Sequence, residues 1–151
     1  MFRIFVGVFV LATLPLCAQE AKKIYAQKLV DEALANHPDV VILAMHAKSP
    51  SDPEYPIIAS NIGRIGKKAD EDDMRVITTG KNNLEINKTG NHFEVELPLQ
   101  DSAKNTIGAL GVVFNYKPGA NKLAMQKKAE QLRDEIRRQI PTESKLFEVV
   151  R

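Results

Sequence analysis

The stretch Ile107 to Tyr116, read Ile-Gly-Ala-Leu-Gly-Val-Val-Phe-Asn-Tyr, restricts what this chain can fold into more than any other. It is too apolar for a sheet edge and too rich in β-branched and aromatic residues to favour a helix. Its two glycines, Gly108 and Gly111, let a neighbouring backbone or helix come close. A central strand is the expected outcome. Just before it, Phe93, Val95, Leu97 and Leu99 alternate with Glu94, Glu96, Pro98 and Gln100, the period of a strand with one buried and one wet face. The turn-forming link Asp101-Ser102-Ala103-Lys104-Asn105 joins the two into an antiparallel hairpin, which the rest of the chain must cover or extend.

The chain has 151 residues, enough for one domain with a real core. Arg3 precedes an apolar run from Ile4 to Leu16, and Leu16-Cys17-Ala18 suits a signal peptidase, so residues 1–18 read as a cleaved signal peptide and 19–151 as a single domain. An uncleaved anchor is the first alternative; a lipoprotein site at Cys17 is disfavoured by Leu16, which is not small. A periplasmic or secreted protein without membrane insertion after cleavage is expected. The sole cysteine lies in the leader, which leaves the exported part without a disulfide scaffold or thiol nucleophile. Loss of Arg3 takes the formal net charge from +2 to +1, so no electrostatic case for nucleic acid or an anionic membrane arises.

Taken in order, Gln19 to Asn36 predicts an amphipathic helix with Ala26, Leu29, Val30, Ala33 and Leu34 on one face, ended by His37-Pro38-Asp39. Val40 to His46 is a near-continuous apolar run, expected as a strand covered on both faces. A turn-rich loop leads to a second strand, Pro56 to Ser60, suited by its proline to an edge. Asn61 to Lys68 reads as an ordered loop, and Asp70 as the cap of a short helix with Met74 and Ile77 buried and Gly80 as its stop. A third strand, Leu84 to Lys88, turns through Thr89-Gly90-Asn91 into the fourth, Phe93 to Gln100. A closing helix runs from Asn121 to about Ile140, with Asp134 and Arg138 positioned to pair on its wet face. Pro141 ends it, and the tail holding Leu146, Phe147, Val149 and Val150 is apolar enough to dock as a short added strand.

This order, an α+β arrangement of five antiparallel strands with long N-terminal and C-terminal helices, resembles the extracellular PAS-like sensor fold of the Cache superfamily in its single-module form. Two stretches carry the likeness. One is Ile57-Ile58-Ala59-Ser60-Asn61 followed by Arg64-Ile65-Gly66-Lys67; the other is Leu97-Pro98-Leu99-Gln100-Asp101 through Thr106-Ile107-Gly108-Ala109-Leu110-Gly111-Val112. Both are motifs of turns and sheet packing rather than of chemistry. The resemblance implies a ligand pocket between the sheet and the segment linking the second and third strands, open to amino acids, carboxylates or amines. With no output module in the sequence, a bound ligand would be relayed to a partner such as a membrane receptor or a second copy.

Candidate ligand contacts are Ser60, Asn61, Arg64 and Lys67 as a polar mouth, Arg64 offering forked donors that suit a carboxylate, and His46, Tyr55 and Tyr116 as walls. Against this stands the plain alternative that Arg64, Lys67 and Lys68 face solvent or pair with Asp70 to Asp73. The acidic run lacks calcium-loop spacing, and His37, His46 and His92 lack metal-ligand spacing, so neither metal nor cofactor is expected. The sequence holds no hydrolase elbow, zinc-protease motif, phosphate loop or dinucleotide fingerprint. Glu94 and Glu96 share a strand face, expected to be the wet one. The expectation is therefore binding without catalysis, with a filled, helix-dimerised interaction module as the alternative.

Overall fold

The computed structural model describes residues 22–150; the leader and cleavage site read at residues 1–18 lie outside them. The elements are α1 (Tyr25–Asn36), β1 (Val40–Ala47), β2 (Ile57–Ser60), α2 (Glu71–Thr79), β3 (Asn83–Ile86), β4 (His92–Gln100), β5 (Thr106–Asn115), α3 (Lys122–Arg137) and a closing 3-10 turn (Glu143–Phe147). The strands form one antiparallel sheet in the order β2-β1-β5-β4-β3, with β5 at its centre as its apolar sequence requires. This five-stranded α+β architecture is consistent with a PAS-like fold. No helix among the described residues is long and apolar enough to cross a membrane.

Alternation along the strands separates two faces. Leu43 and Met45 of β1, Phe93, Val95, Leu97 and Leu99 of β4, and Leu110, Val112 and Phe114 of β5 enter one core with Leu29 and Val30 of α1 and Leu132 and Ile136 of α3. α2 lies on β4 and β5 by itself, on the opposite face. That second layer corrects the expectation of a wet face at Glu96, which is only 7% exposed because α2 covers it, while Glu94 remains exposed.

Both terminal helices are shorter than the sequence suggests. α1 begins at Tyr25 because the tail takes over the helix start: Tyr25 N–H donates to the Glu148 carbonyl at 2.8 Å, and Ile24 bridges Val149. Leu146 anchors this return, fully buried. α3 stops at Arg137, so Asp134 pairs with Arg133 and Arg137 rather than with Arg138, which has become the C-cap.

The two sheet edges differ. Ile57 N–H donates to the Lys67 carbonyl at 2.8 Å and its own carbonyl accepts Gly66 N–H at 2.9 Å, so the loop after β2 closes that strand's outer side. β3, at the other end, pairs with β4 alone.

Candidate functional site

Register fixes which side chains meet under α2. One row crosses the sheet as Ala44 on β1, Gly111 on β5, Glu96 on β4 and Asn83 on β3; the neighbouring rows contain His46 opposite Ala109, and Glu94 opposite Val113 and Glu85. Alanine and glycine beside Glu96 keep the sheet floor low, so a helix can approach carrying a polar residue.

That residue is Asp73. Asp70 caps α2 by accepting the N–H groups of Asp72 and Asp73, each at 3.2 Å, and Asp73 Oδ2 accepts Asp70 N–H at 2.8 Å, a reciprocal capping box. Gly80, at φ +67°, stops the helix. With its rotation set in this way, α2 turns Asp73 and Val76 fully inward, whereas Met74 and Ile77, expected as its buried side, are only partly covered.

The free oxygen of Asp73, Oδ1, faces His46 Nε2 at 3.6 Å, and the other ring nitrogen, Nδ1, donates to the Tyr55 carbonyl at 2.7 Å. Tyr55 is held at φ +51°, an uncommon conformation that brings its carbonyl to the ring. On the other side, Glu96 lies buried beneath α2, its Oε2 accepting Asn83 Nδ2 at 3.5 Å. Burial, reinforced by the neighbouring Asp73 and by the charge of Glu94, pushes the Glu96 carboxyl up to about 9. Glu94, exposed along part of its length, leans its carboxylate in beside Gly111. It is held above the usual carboxylate range by burial of that carboxyl, then by Glu85, Asp73 and Asp70. Every fully buried side-chain polar atom among the described residues has a partner, and no group of three ligating side chains among them has metal-binding geometry.

Beside this network a cleft of about 330 Å³ is lined by Pro53, Glu54, Tyr55, Lys68, Ala69 and Met74. Tyr55 and Met74 separate it from His46 and Asp73, and a Lys68–Glu54 ion pair stands at its rim.

Of the residues singled out in the sequence, the structure unites His46 and Tyr55, through the tyrosine backbone. Ser60 is buried against α1, its N–H donating to Gln27 Oε1 at 3.1 Å and its hydroxyl to the Gly63 carbonyl. Asn61 extends the β1 pairing, accepting Leu43 N–H at 3.0 Å and donating to the Val41 carbonyl at 2.9 Å. Arg64 is exposed at φ +61°, and Lys67 reaches Asp70 at 3.5 Å in the open. Tyr116 follows the far end of β5 and packs on Phe93, ring centroids 6.2 Å apart, away from α2. Asp73 and Glu96 were missed as site residues. One signal pointed to them: β5 is apolar on both faces, so both faces must be covered, and the adjacent strand's glutamates with them.

No protein-family model matches the chain, and no curated protein sequence matches it as a relative. Among solved structures, the crystal structure of the Agobacterium tumefaciens repressor BlcR is similar, with a TM-score of 0.50 at 10% identity, over 80% of this chain and 66% of that one. The chain thus spans just under two thirds of the BlcR chain, and the likeness is one of fold alone. A light-oxygen-voltage domain structure, from work with a flavin analogue, gives a TM-score of 0.37 at 17% identity over 66% of this chain and 93% of that one.

Proposed function

We propose that the chain is an exported, Cache-like, non-catalytic binding domain that takes a small molecule at the α2 face and relays its presence to a partner protein. The observation that carries this reading is the cleft of about 330 Å³ set directly against the buried His46–Asp73–Glu96 network. Its size lies in the range of small-molecule sites, and the PAS-like resemblance implies a pocket in this region. The charge around it favours an amine over a carboxylate. Asp70, Asp73, Glu85 and Glu94 gather on this side and Lys68 of the lining is paired with Glu54, while Arg64, the candidate carboxylate fork, is exposed on the outer loop.

A thermal-shift screen of the protein against amines, amino acids and carboxylates tests the reading. A ligand of the folded state adds about 2.7 kcal/mol at a hundredfold excess over its Kd. A saturable rise with amines that is lost in Tyr55→Ala and kept in Arg64→Ala is expected. If only carboxylates raise the midpoint, and Arg64→Ala abolishes the rise, the amine assignment is wrong.

A second reading, a module without a ligand that associates through its helices, draws support from one feature. Leu123 of α3 is 60% exposed beside Leu84 and Ile86 of β3, in a groove of about 450 Å³. A flat thermal screen together with a concentration-dependent sedimentation coefficient would favour it.

A further inference from the structure

β3 has a strand on one side only, and the register shows which groups it presents on the other. Asn87 N–H donates to the His92 carbonyl at 3.1 Å, so Asn87, Glu85 and Asn83 turn their backbone groups towards β4. By alternation, Leu84 and Ile86 turn theirs outward, away from the sheet. Their side chains, 47% and 37% exposed, form one groove with Phe93 of β4 and with Lys122, Leu123 and Gln126 of α3. Outer strands are ordinarily guarded by a proline, by a lysine within the strand or by a covering segment. Among the described residues Leu84-Glu85-Ile86 has none of these; its lysines, Lys81 and Lys88, stand beyond the two ends of β3. Glu85 also stands beside Glu94 of β4, so the strand's one acid already faces a like charge.

We propose that β3 pairs with the β3 of a second copy of this chain, antiparallel about a two-fold axis at Leu84, to form one continuous sheet across both. Outward backbone groups must meet outward ones, so the axis passes through a residue of β3 rather than between two. At Glu85 it would set two identical carboxylates against each other, and at Ile86 it would set Leu84 against Lys88. At Asn83 it would run Ile86 against Gly80, where α2 ends. At Leu84 the two leucines meet, and each Glu85 stands opposite Asn83 of the other copy with that copy's Lys81 on the diagonal. A cation thereby approaches the acid that faces Glu94. The strand carries both halves of this complementary set, which is what selects the chain itself as the occupant. An axis perpendicular to the sheet keeps both α3 helices on one side, so the two grooves adjoin and Leu84, Ile86 and Leu123 of both copies leave water together. The paired segment is short, which puts the contact in the weak, reversible class of interfaces. It needs no ligand and no contact between helices, and stands apart from both readings above.

Sedimentation velocity and amide hydrogen exchange of the full chain, from about 10 µM to about 1 mM, test the pairing. The sedimentation coefficient should rise from that of a monomer to that of a dimer. Over the same range, protection of the Leu84 and Ile86 amides should grow by about tenfold or more, whereas the Glu85 amide should already be protected in dilute protein. Leu84→Lys, at a half-exposed position, should keep the fold and remain monomeric at every concentration. Glu85→Lys and Lys81→Glu should each weaken association, and the two together should restore it. Three results would overturn the pairing. One is a chain that stays monomeric to about 1 mM, which would leave the strand's outer side to another protein. Another is a dimer in which the Leu84 and Ile86 amides remain as open as in dilute protein. The third is a double variant that associates no better than the single ones.

Discussion

His46 of β1 and Asp73 of α2 face each other across 3.6 Å with 6% and 9% of their side chains exposed, a buried polar contact between the sheet and the helix laid over it. Asp73 also caps its own helix, which gives it two separable contributions. Asp73→Ala should cost about 1–3 kcal/mol beyond the loss of the cap, the range for leaving a buried polar partner unsatisfied. Asp70→Ala, which removes only the cap, should cost about 1 kcal/mol. Urea unfolding of both variants checks this, and equal losses would mean that His46 contributes nothing through Asp73.

Stability should fall on both sides of a mildly acid optimum. Glu96 is raised from 4.5 to about 9, so the folded state keeps a proton that the unfolded chain has lost. In that window stability drops as pH rises, with a slope approaching about 1.4 kcal/mol per pH unit. On the acid side, the hydrogen bond from Lys128 holds Asp39 below its ordinary value, and Asn105 does the same for Asp101. Their contributions are complete above the unfolded value and disappear as pH falls through the lowered one. Urea midpoints from about pH 2 to 9.5 should show this, with the alkaline decline flattened in Glu96→Gln; a maximum at or above pH 8 would contradict it.

The two glycines of β5 should respond differently to alanine. A Cβ at Gly108 would stand 1.9 Å from the His46 carbonyl oxygen, a backbone atom that cannot turn aside. Gly108→Ala should therefore cost at least about 3 kcal/mol, the upper end of overpacking, or prevent folding. A Cβ at Gly111 would meet only Glu94 Oε1, at 3.0 Å, and that carboxylate can swing outward. Gly111→Ala should stay within about 1 kcal/mol and return Glu94 towards the ordinary carboxylate range. Thermal melts and a carboxyl titration measure both.

Leu146→Ala tests whether the tail belongs to the domain. Its side chain is fully buried, so about 2–5 kcal/mol should be lost; Val149→Ala, at an exposed position, should change stability by less than about 1 kcal/mol. If both are neutral in urea melts, the tail is not part of the cooperative unit.

The strands were legible because the face of β4 and β5 packed by α1 and α3 produces strict alternation, as at Phe93, Val95, Leu97 and Leu99. Asp70 and Gly80 announced both ends of α2 through capping chemistry that needs no tertiary information. The site was not legible in the same way. Glu96 has the sequence context of a solvent-facing strand residue, and only a helix arriving from elsewhere in the chain changes its environment. Asp73 resembles an ordinary first-turn acid until its second oxygen is placed opposite His46. Ser60 and Asn61 stood out by residue type, yet the Asn61 amide serves the backbone of β1 and the Ser60 hydroxyl that of its own loop, while the Ser60 backbone meets the Gln27 side chain of α1.

The inequality of the two sheet edges limits how copies of this chain can stack. A sheet with two bare margins can polymerise, since each addition presents a fresh template. Here the Gly66–Lys67 backbone already occupies the margin at Ile57, which leaves β3 as the bare one among the described residues. Strand pairing through β3 uses the same margin of both copies, so growth by that route terminates at two.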